Sequence, residues 1–448
     1  MKNYLKKNKK VLYCGLVLLL LVTCIFTIPT IAEFLQSATE YVTVSLGKTD
    51  MSLNVGETEN LEITVNTGSY GDGIYVAPNG HDDADGGFTT PLLTIQEAID
   101  RANPGDTVYL REGTYTGNNY FNKSGSKDGG FITITAYNNE NAVVTTKKGV
   151  NGGAFELDGC DYIKFQNLKI ADMNAAEVHG ILMTGGEKYI YIENCEFTNI
   201  VTTRPNSESG ESNAILLLGE KNTAEESISN IYIDNNIIHD NVNGWSENIS
   251  VAGNCEYVYV TNNKVYDCTN IGIDFYGNAE YCSNKALDQA RHCECIGNIV
   301  YNCLCSYAEN AGIYVDGAYD ILIENNETYN NYYGIEIGSE EWRKYYDDNN
   351  RVREITVRGN NIHDNLECGI RIGGWSNNDT ETGYVYNCDI IENIFHNNMA
   401  HDGSEIILAK CDSIRFKDNI FDKDIDYEDA VWYDDEIDPS KITNISFQ

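Results

Sequence analysis

Between residues 192 and 424 one nine-residue phrase returns eight times: IENCEFTNI, IDNNIIHDN, VTNNKVYDC, CIGNIVYNC, IENNETYNN, VRGNNIHDN, IIENIFHNN and FKDNIFDKD. Apolar residues alternate with polar ones inside each copy. After most copies a second short apolar run follows: AILLL, NISVAG, GIDFYG, GIYVDG, GIEIGS, GIRIGG or EIILAK. Period-two alternation over a few residues predicts short strands, and self-similarity at a fixed interval predicts one unit stacked on itself. Asn236, Asn263, Asn298, Asn326, Asn361, Asn393 and Asn419 lie 26 to 35 residues apart. The smallest interval is one coil, and the excess marks insertions at 282–294 and 339–354.

The expected architecture is all-β: a right-handed parallel β-helix, or solenoid. Each coil turns its Ile and Val inward, and corner asparagines hydrogen-bond from coil to coil. Upstream of the repeats, Ile74 to Ala77 reads as a strand. Thr94-Ile-Gln-Glu97 is a capping box that opens a short helix ending before Pro104, so a capping helix should close the N-terminal end. Between them Asp82, Asp83 and Asp85 fit either a structural calcium loop or a solvated turn.

Register then defines an outer strip. With Ile273, Ile313, Ile335 and Ile370 inward, the next residue of each coil points outward, giving the column Ser250, Asp274, Tyr314, Glu336, Arg371. Coils stack at about 4.8 Å, so this column should form a continuous surface able to hold a chain of sugars.

Charge narrows the partners. The chain carries 68 acids against 31 bases, a formal net charge of −37. A field of that sign repels phosphate backbones and excludes nucleic acid as a natural partner. Residues 1–32 combine five lysines with the apolar run Val11 to Ala32. That is an export signal, cleaved or kept as a membrane anchor, and predicts a secreted or cell-surface bacterial protein with membrane or cell-wall attachment. Leu21-Val-Thr-Cys24 makes a poor lipidation site. Residues 33–72 read as a linker and 73–448 as the β-helix domain. Of 14 cysteines, several fall at repeat turns. His292, Cys293, Cys295, Cys303 and Cys305 lack CxxC spacing, so buried thiols or local disulfides fit better than zinc.

Two acids flank one corner of the repeat. Asp267 ends the strand KVYD and Asp274 sits within GIDF, a placement that lets both approach one glycosidic bond, as general acid and as nucleophile or base. Asp267 also has a structural reading, because Asp240, Asn302, Asn330, Asp364 and Asn397 occupy the same corner in other coils. Asp274 has no such task on an outward position. Near the pair, Trp245 is a candidate sugar-stacking platform, and Asn248, Asp288 and Arg291 are candidate ligands for hydroxyl or acetamido groups. Tyr314, Asp316 and Glu336 are candidates on the strip.

The run VYDCTNIGIDFYG, preceded by ENISVAGN and followed by LDQAR, GIYVDG and GIEIGSE, resembles the catalytic β-helix of glycoside hydrolase family 136, the lacto-N-biosidases of gut bacteria. The resemblance covers residues 73 to 447, and its specific part is 247 to 340. It implies a retaining hydrolase with Asp274 as nucleophile and Asp267 as acid/base. The product would be lacto-N-biose, released from the non-reducing end of milk-type or mucin-type glycans. No cofactor is required for that chemistry. The resemblance further implies oligosaccharide or glycoconjugate partners and a dedicated folding chaperone on a separate chain. Two alternatives fit the same scaffold. A polysaccharide lyase or uronate epimerase would need a basic residue such as Lys264 or Lys285, and a surface adhesin would bind glycans without turnover.

Overall fold

Left-handed residues, asparagine foremost, set where the coils turn. Asn235, Asn262 and Asn325 adopt φ of 53 to 55°, a left-handed conformation that Asn tolerates better than most residues. Soon after each of these corners the next strand begins. In the computed structural model, the described residues are 40–46, 63–69, 72–207, 210–340, 351–373, 384–398, 404–422 and 425–448.

The chain falls into two units, 1–72 and 73–448. In the first, Glu40–Leu46 pairs antiparallel with Ile63–Ser69. The expected export segment 1–32 and most of the expected insertion at 339–354 lie outside the described residues. No helix among the described residues is long and apolar enough to cross a membrane.

The second unit is a right-handed parallel β-helix. Among the described residues its strands form three parallel sheets of fourteen, ten and eleven strands, and a full coil gives one strand to each. One such coil runs Cys255–Thr261, Lys264–Tyr266 and Ile273–Tyr276, and Arg291–Ile296 starts the next. Ile249, Ile273, Ile313, Ile335, Ile370 and Ile406 stack as one inward column, each fully buried. Every such isoleucine contributes about 1.5–3 kcal/mol of burial.

A buried ladder joins the coils. The Asn236 amide N–H donates to Asn263 Oδ1, and the pattern continues through Asn298, Asn326, Asn360, Asn393 and Asn419 at 2.8–3.0 Å. The rung in VRGNNIHDN is Asn360, one residue before the expected Asn361, which starts the strand Asn361–His363 instead. A second ladder at the next corner runs through Asn331, Asn365 and Asn398. Cys303 donates its backbone N–H to Asn331 there, which explains a cysteine at a turn. All twelve described cysteines are unpaired thiols, eleven of them buried.

At the N-terminal end the helix Ile95–Arg101 is capped by Thr94, whose hydroxyl accepts the Glu97 N–H at 3.2 Å. Asp82 accepts the Leu93 and Thr94 N–H groups at 2.9 Å, and Asp85 accepts that of Gly87 at 3.0 Å. These two carboxylates hydrogen-bond within the loop, as the solvated-turn reading expects.

Candidate active site

The outward column lies on the eleven-stranded sheet. Strands Ile249–Gly253, Ile273–Tyr276, Ala311–Asp316, Tyr333–Gly338 and Cys368–Ile372 place Ser250, Asp274, Tyr314, Glu336 and Arg371 in lateral register. The strip is not the open surface its register suggests. Ser250, Asp274 and Tyr314 are each 2% exposed, Glu336 4% and Asp316 5%. Apolar packing on this outer face is part of the cause: Ala311, Tyr314, Tyr333, Cys368 and Ile407 form a second, smaller hydrophobic cluster.

Carboxyls gather on this covered strip. Asp316 stands two positions beyond Tyr314 on the strand next to that of Asp274, a diagonal neighbour on the same face at about 8 Å by strand spacing and rise. Burial pushes the Asp274 carboxyl well up, and the charges of Glu247 and Glu340 push it further. Asp316 is raised well above the carboxylate range by burial, then by Glu340 and Asp274. Burial takes Glu336 up to about 8, against the pull of Arg371, and takes half-buried Glu247 up to about 7. Asp274 Oδ1 and the Tyr314 hydroxyl are buried without a hydrogen-bond partner. A buried polar atom left unpaired costs about 1–3 kcal/mol.

Three members of this group escape sequence reasoning. Glu247 precedes the strand of Ser250, and Glu340 lies beyond the strand of Glu336, its N–H donating to Asp316 Oδ1 at 2.9 Å. Tyr281 follows the strand end at Tyr276, just before the 282–294 insertion, and burial with the charges of Glu247, Glu211, Asp274 and Asp316 raises its hydroxyl. Glu247 and Glu340 sit at the edges of ENISVAGN and GIEIGSE. No spacing rule brings a loop tyrosine onto the strip.

The other expected site residues divide. Asp267 is exposed at a corner with φ 53°, matching Asp240, Asn302, Asn330, Asp364 and Asn397 at 53 to 57°. Its Oδ1 accepts Asn302 Nδ2 at 2.8 Å from the next coil. Trp245 is 46% exposed, its ring 5.2 Å from that of Tyr307. Asn248 is not open to a sugar, because it is buried, accepts from Asn241 Nδ2 and donates to the Ile271 carbonyl. Asp288 is likewise buried and accepts the Glu280 and Cys282 N–H groups, so it folds the insertion. Arg291 begins a strand of the fourteen-stranded sheet and pairs with Glu256 at 3.1 Å and Asn254 at 3.0 Å rather than with Asp288. Both are structural because their charges are satisfied inside the fold. Lys264 is exposed over the Tyr266 and Tyr301 rings of the ten-stranded sheet, away from the strip, and Lys285 is exposed in the insertion.

The scaffold beneath this geometry has known relatives. The family described as "Pel9A-like, right handed beta helix region" matches residues 74–296, and a right-handed β-helix region family matches 287–438. Protein YwoF of Bacillus subtilis is 32% identical over 342 residues, covering 73% of this chain and 69% of its own. Pectate lyase PEL9 of Emericella nidulans is 34% identical over 142 residues, 31% of this chain and 34% of that protein. Among solved structures, the A-module of the Azotobacter vinelandii mannuronan C-5 epimerase AlgE4 aligns with TM-score 0.52 at 16% identity, over 79% of this chain and 92% of that one. The GH136 lacto-N-biosidase from Eubacterium ramulus aligns with TM-score 0.50 at 15% identity, over 84% and 68%. These two share the fold.

Proposed function

We propose that this chain, which belongs to one family with protein YwoF of Bacillus subtilis and matches the Pel9A-like right-handed β-helix region over residues 74–296, is a carbohydrate-active enzyme, a glycoside hydrolase working through the carboxyls around Asp274. One observation carries the reading: Asp274 and Asp316 are diagonal neighbours on a covered strip, both pushed toward the protonated form, Asp316 in part by the charge of Asp274. Two interacting carboxyls so placed do not ionise together, so over a range of pH the pair holds one acid and one carboxylate. Hydrolysis uses that division. The acid gives its proton to the departing glycosidic oxygen as the C1–O bond breaks, and the carboxylate attacks C1 or activates the water that does. Glu336 and Arg371 continue the strip for the neighbouring sugars, and Trp245 offers an exposed ring.

The finer reading is retaining release of lacto-N-biose, and it rests on the likeness of VYDCTNIGIDFYG to family 136. A second reading, β-elimination from a uronate polymer, draws on the stretch similar to a pectate lyase. That chemistry needs a group to neutralise the uronate carboxylate, and among the described residues the strip acids do not converge as a metal-binding group. The base of a lyase is often Lys or Arg; the cation on the described part of the strip is Arg371, which is paired with Glu336 and Asp434, and hydrolysis is therefore preferred.

The test is product analysis with lacto-N-tetraose, polygalacturonate and alginate. A reducing sugar released by the wild type, and lost at least ~1000-fold in Asp274→Asn and in Asp316→Asn with the fold intact, is the expected result. An unsaturated product absorbing in the ultraviolet would establish the lyase instead. The anomer first formed decides retention.

A further inference from the structure

Two corners of the ten-stranded sheet repeat one arrangement. His239 Nδ1 lies 2.7 Å from Asp240 Oδ2, and its Nε2 lies 3.3 Å from Glu196 Oε1 on the preceding coil. His363 Nδ1 lies 2.7 Å from Asp364 Oδ2, and its Nε2 3.3 Å from Glu327 Oε1. The two corners differ in the ring stacked on them from the next coil. On His239 that ring is Tyr266, at 5.1 Å, whereas on His363 it is His396, at 4.6 Å. One ligand atom from each of His363, Asp364 and His396 lies within 4.8 Å of the other two, and all three residues are half-buried. The His396 side chain has no hydrogen bond or ion pair among the described residues.

We propose that His363, Asp364 and His396 bind a divalent transition cation of the zinc, nickel or copper class on the outer face of the ten-stranded sheet. Two imidazole nitrogens with one carboxylate oxygen suit cations of this class, whereas calcium and magnesium prefer oxygen alone. Glu327 holds the far nitrogen of His363, the carboxylate-to-histidine support that orients metal-bound imidazoles. The two rings lie nearly parallel, 4° apart, so binding requires one to turn toward the other's lone pair. His396, stacked on His363, has no hydrogen bond among the described residues to break in turning. The ion would tie the strand Asn361–His363 to Ile394–His396 across one coil step. The His239 corner has the same acid pair and a tyrosine in place of the second imidazole, and it is the natural control. This site stands apart from the strip and does not depend on the glycan reading.

The experiment is calorimetric titration of the full, untagged chain with NiCl2, with thermal midpoints recorded with and without the ion. Wild type should bind one ion per chain with micromolar affinity and melt higher with nickel. His396→Tyr copies the His239 corner and keeps the ring stack, and should weaken binding at least ~10-fold. His239→Ala should bind as wild type does. Undiminished affinity in His396→Tyr, or no saturable binding by the wild type at millimolar nickel, overturns the site. If His396→Tyr does not fold, Glu327→Gln serves instead, with about a tenfold loss expected and an unchanged affinity counting against the site.

Discussion

Asp267 and Asp274 lie seven positions apart, and their settings differ in exposure and in the groups that surround them. Asp267 occupies a left-handed corner, is exposed, and accepts a hydrogen bond from Asn302. Asparagine fills the same corner at 302, 330 and 397 with nearly the same φ. Asp267→Asn should therefore fold as wild type does and keep its activity within about tenfold, with a stability change of about 0.5 kcal/mol or less. A folded but inactive Asp267→Asn would instead restore the acid/base role implied by the family 136 resemblance. Asp274 is the reverse case. Its strand gives it no turn to hold, and an ionised carboxyl there would be buried among like charges.

At the scale of the coil, the asparagine ladders satisfy the polar groups that the stack buries. Asn326 donates to the Cys295 carbonyl and Asn360 Oδ1, and its own Oδ1 accepts from the backbone and side chain of Asn298. Truncating it leaves several of those groups buried and unpaired, so Asn326→Ala should cost about 2–4 kcal/mol. Asn361→Ala, one residue outside the ladder, should cost about 1 kcal/mol or less. Urea midpoints of the two variants give the comparison, and equal losses would mean that the rung is wrongly placed.

The phrase made the coils, the inward isoleucines and the lateral column legible, because period-two alternation and coil spacing leave few other registers. It left the rung in GNN ambiguous by one residue, since Asn360 and Asn361 are adjacent. It also mistook an outward strip for an exposed one. Facing away from the core is a backbone property that alternation reports. Burial on that face depends on side chains and loops from other coils, and alternation does not report it. Tyr281 and Glu340 join the acids for the same reason, from segments whose paths no period describes.

At the scale of the whole molecule, the covered acids set the pH dependence of stability. Glu336 and Glu247 hold protons in the folded state up to about pH 8 and about pH 7, whereas an unfolded glutamate releases them near ~4.3. The folded state binds more protons throughout that interval, so stability is full below it and declines as pH rises toward 8. The thermal midpoint should fall by several degrees between about pH 5.5 and 8.5, and Glu336→Gln should flatten the decline. A midpoint that climbs over this range would refute a protonated strip.

The ladders also have a mechanical consequence. Each rung ties one coil to the next, and consecutive rungs are separated by 26 to 35 residues. A solenoid held by nearest-neighbour bonds yields from its ends. Drawn out by its C-terminus, this chain should unwind like a ratchet, each tooth releasing about 9–12 nm of extended polypeptide before the next coil takes the load.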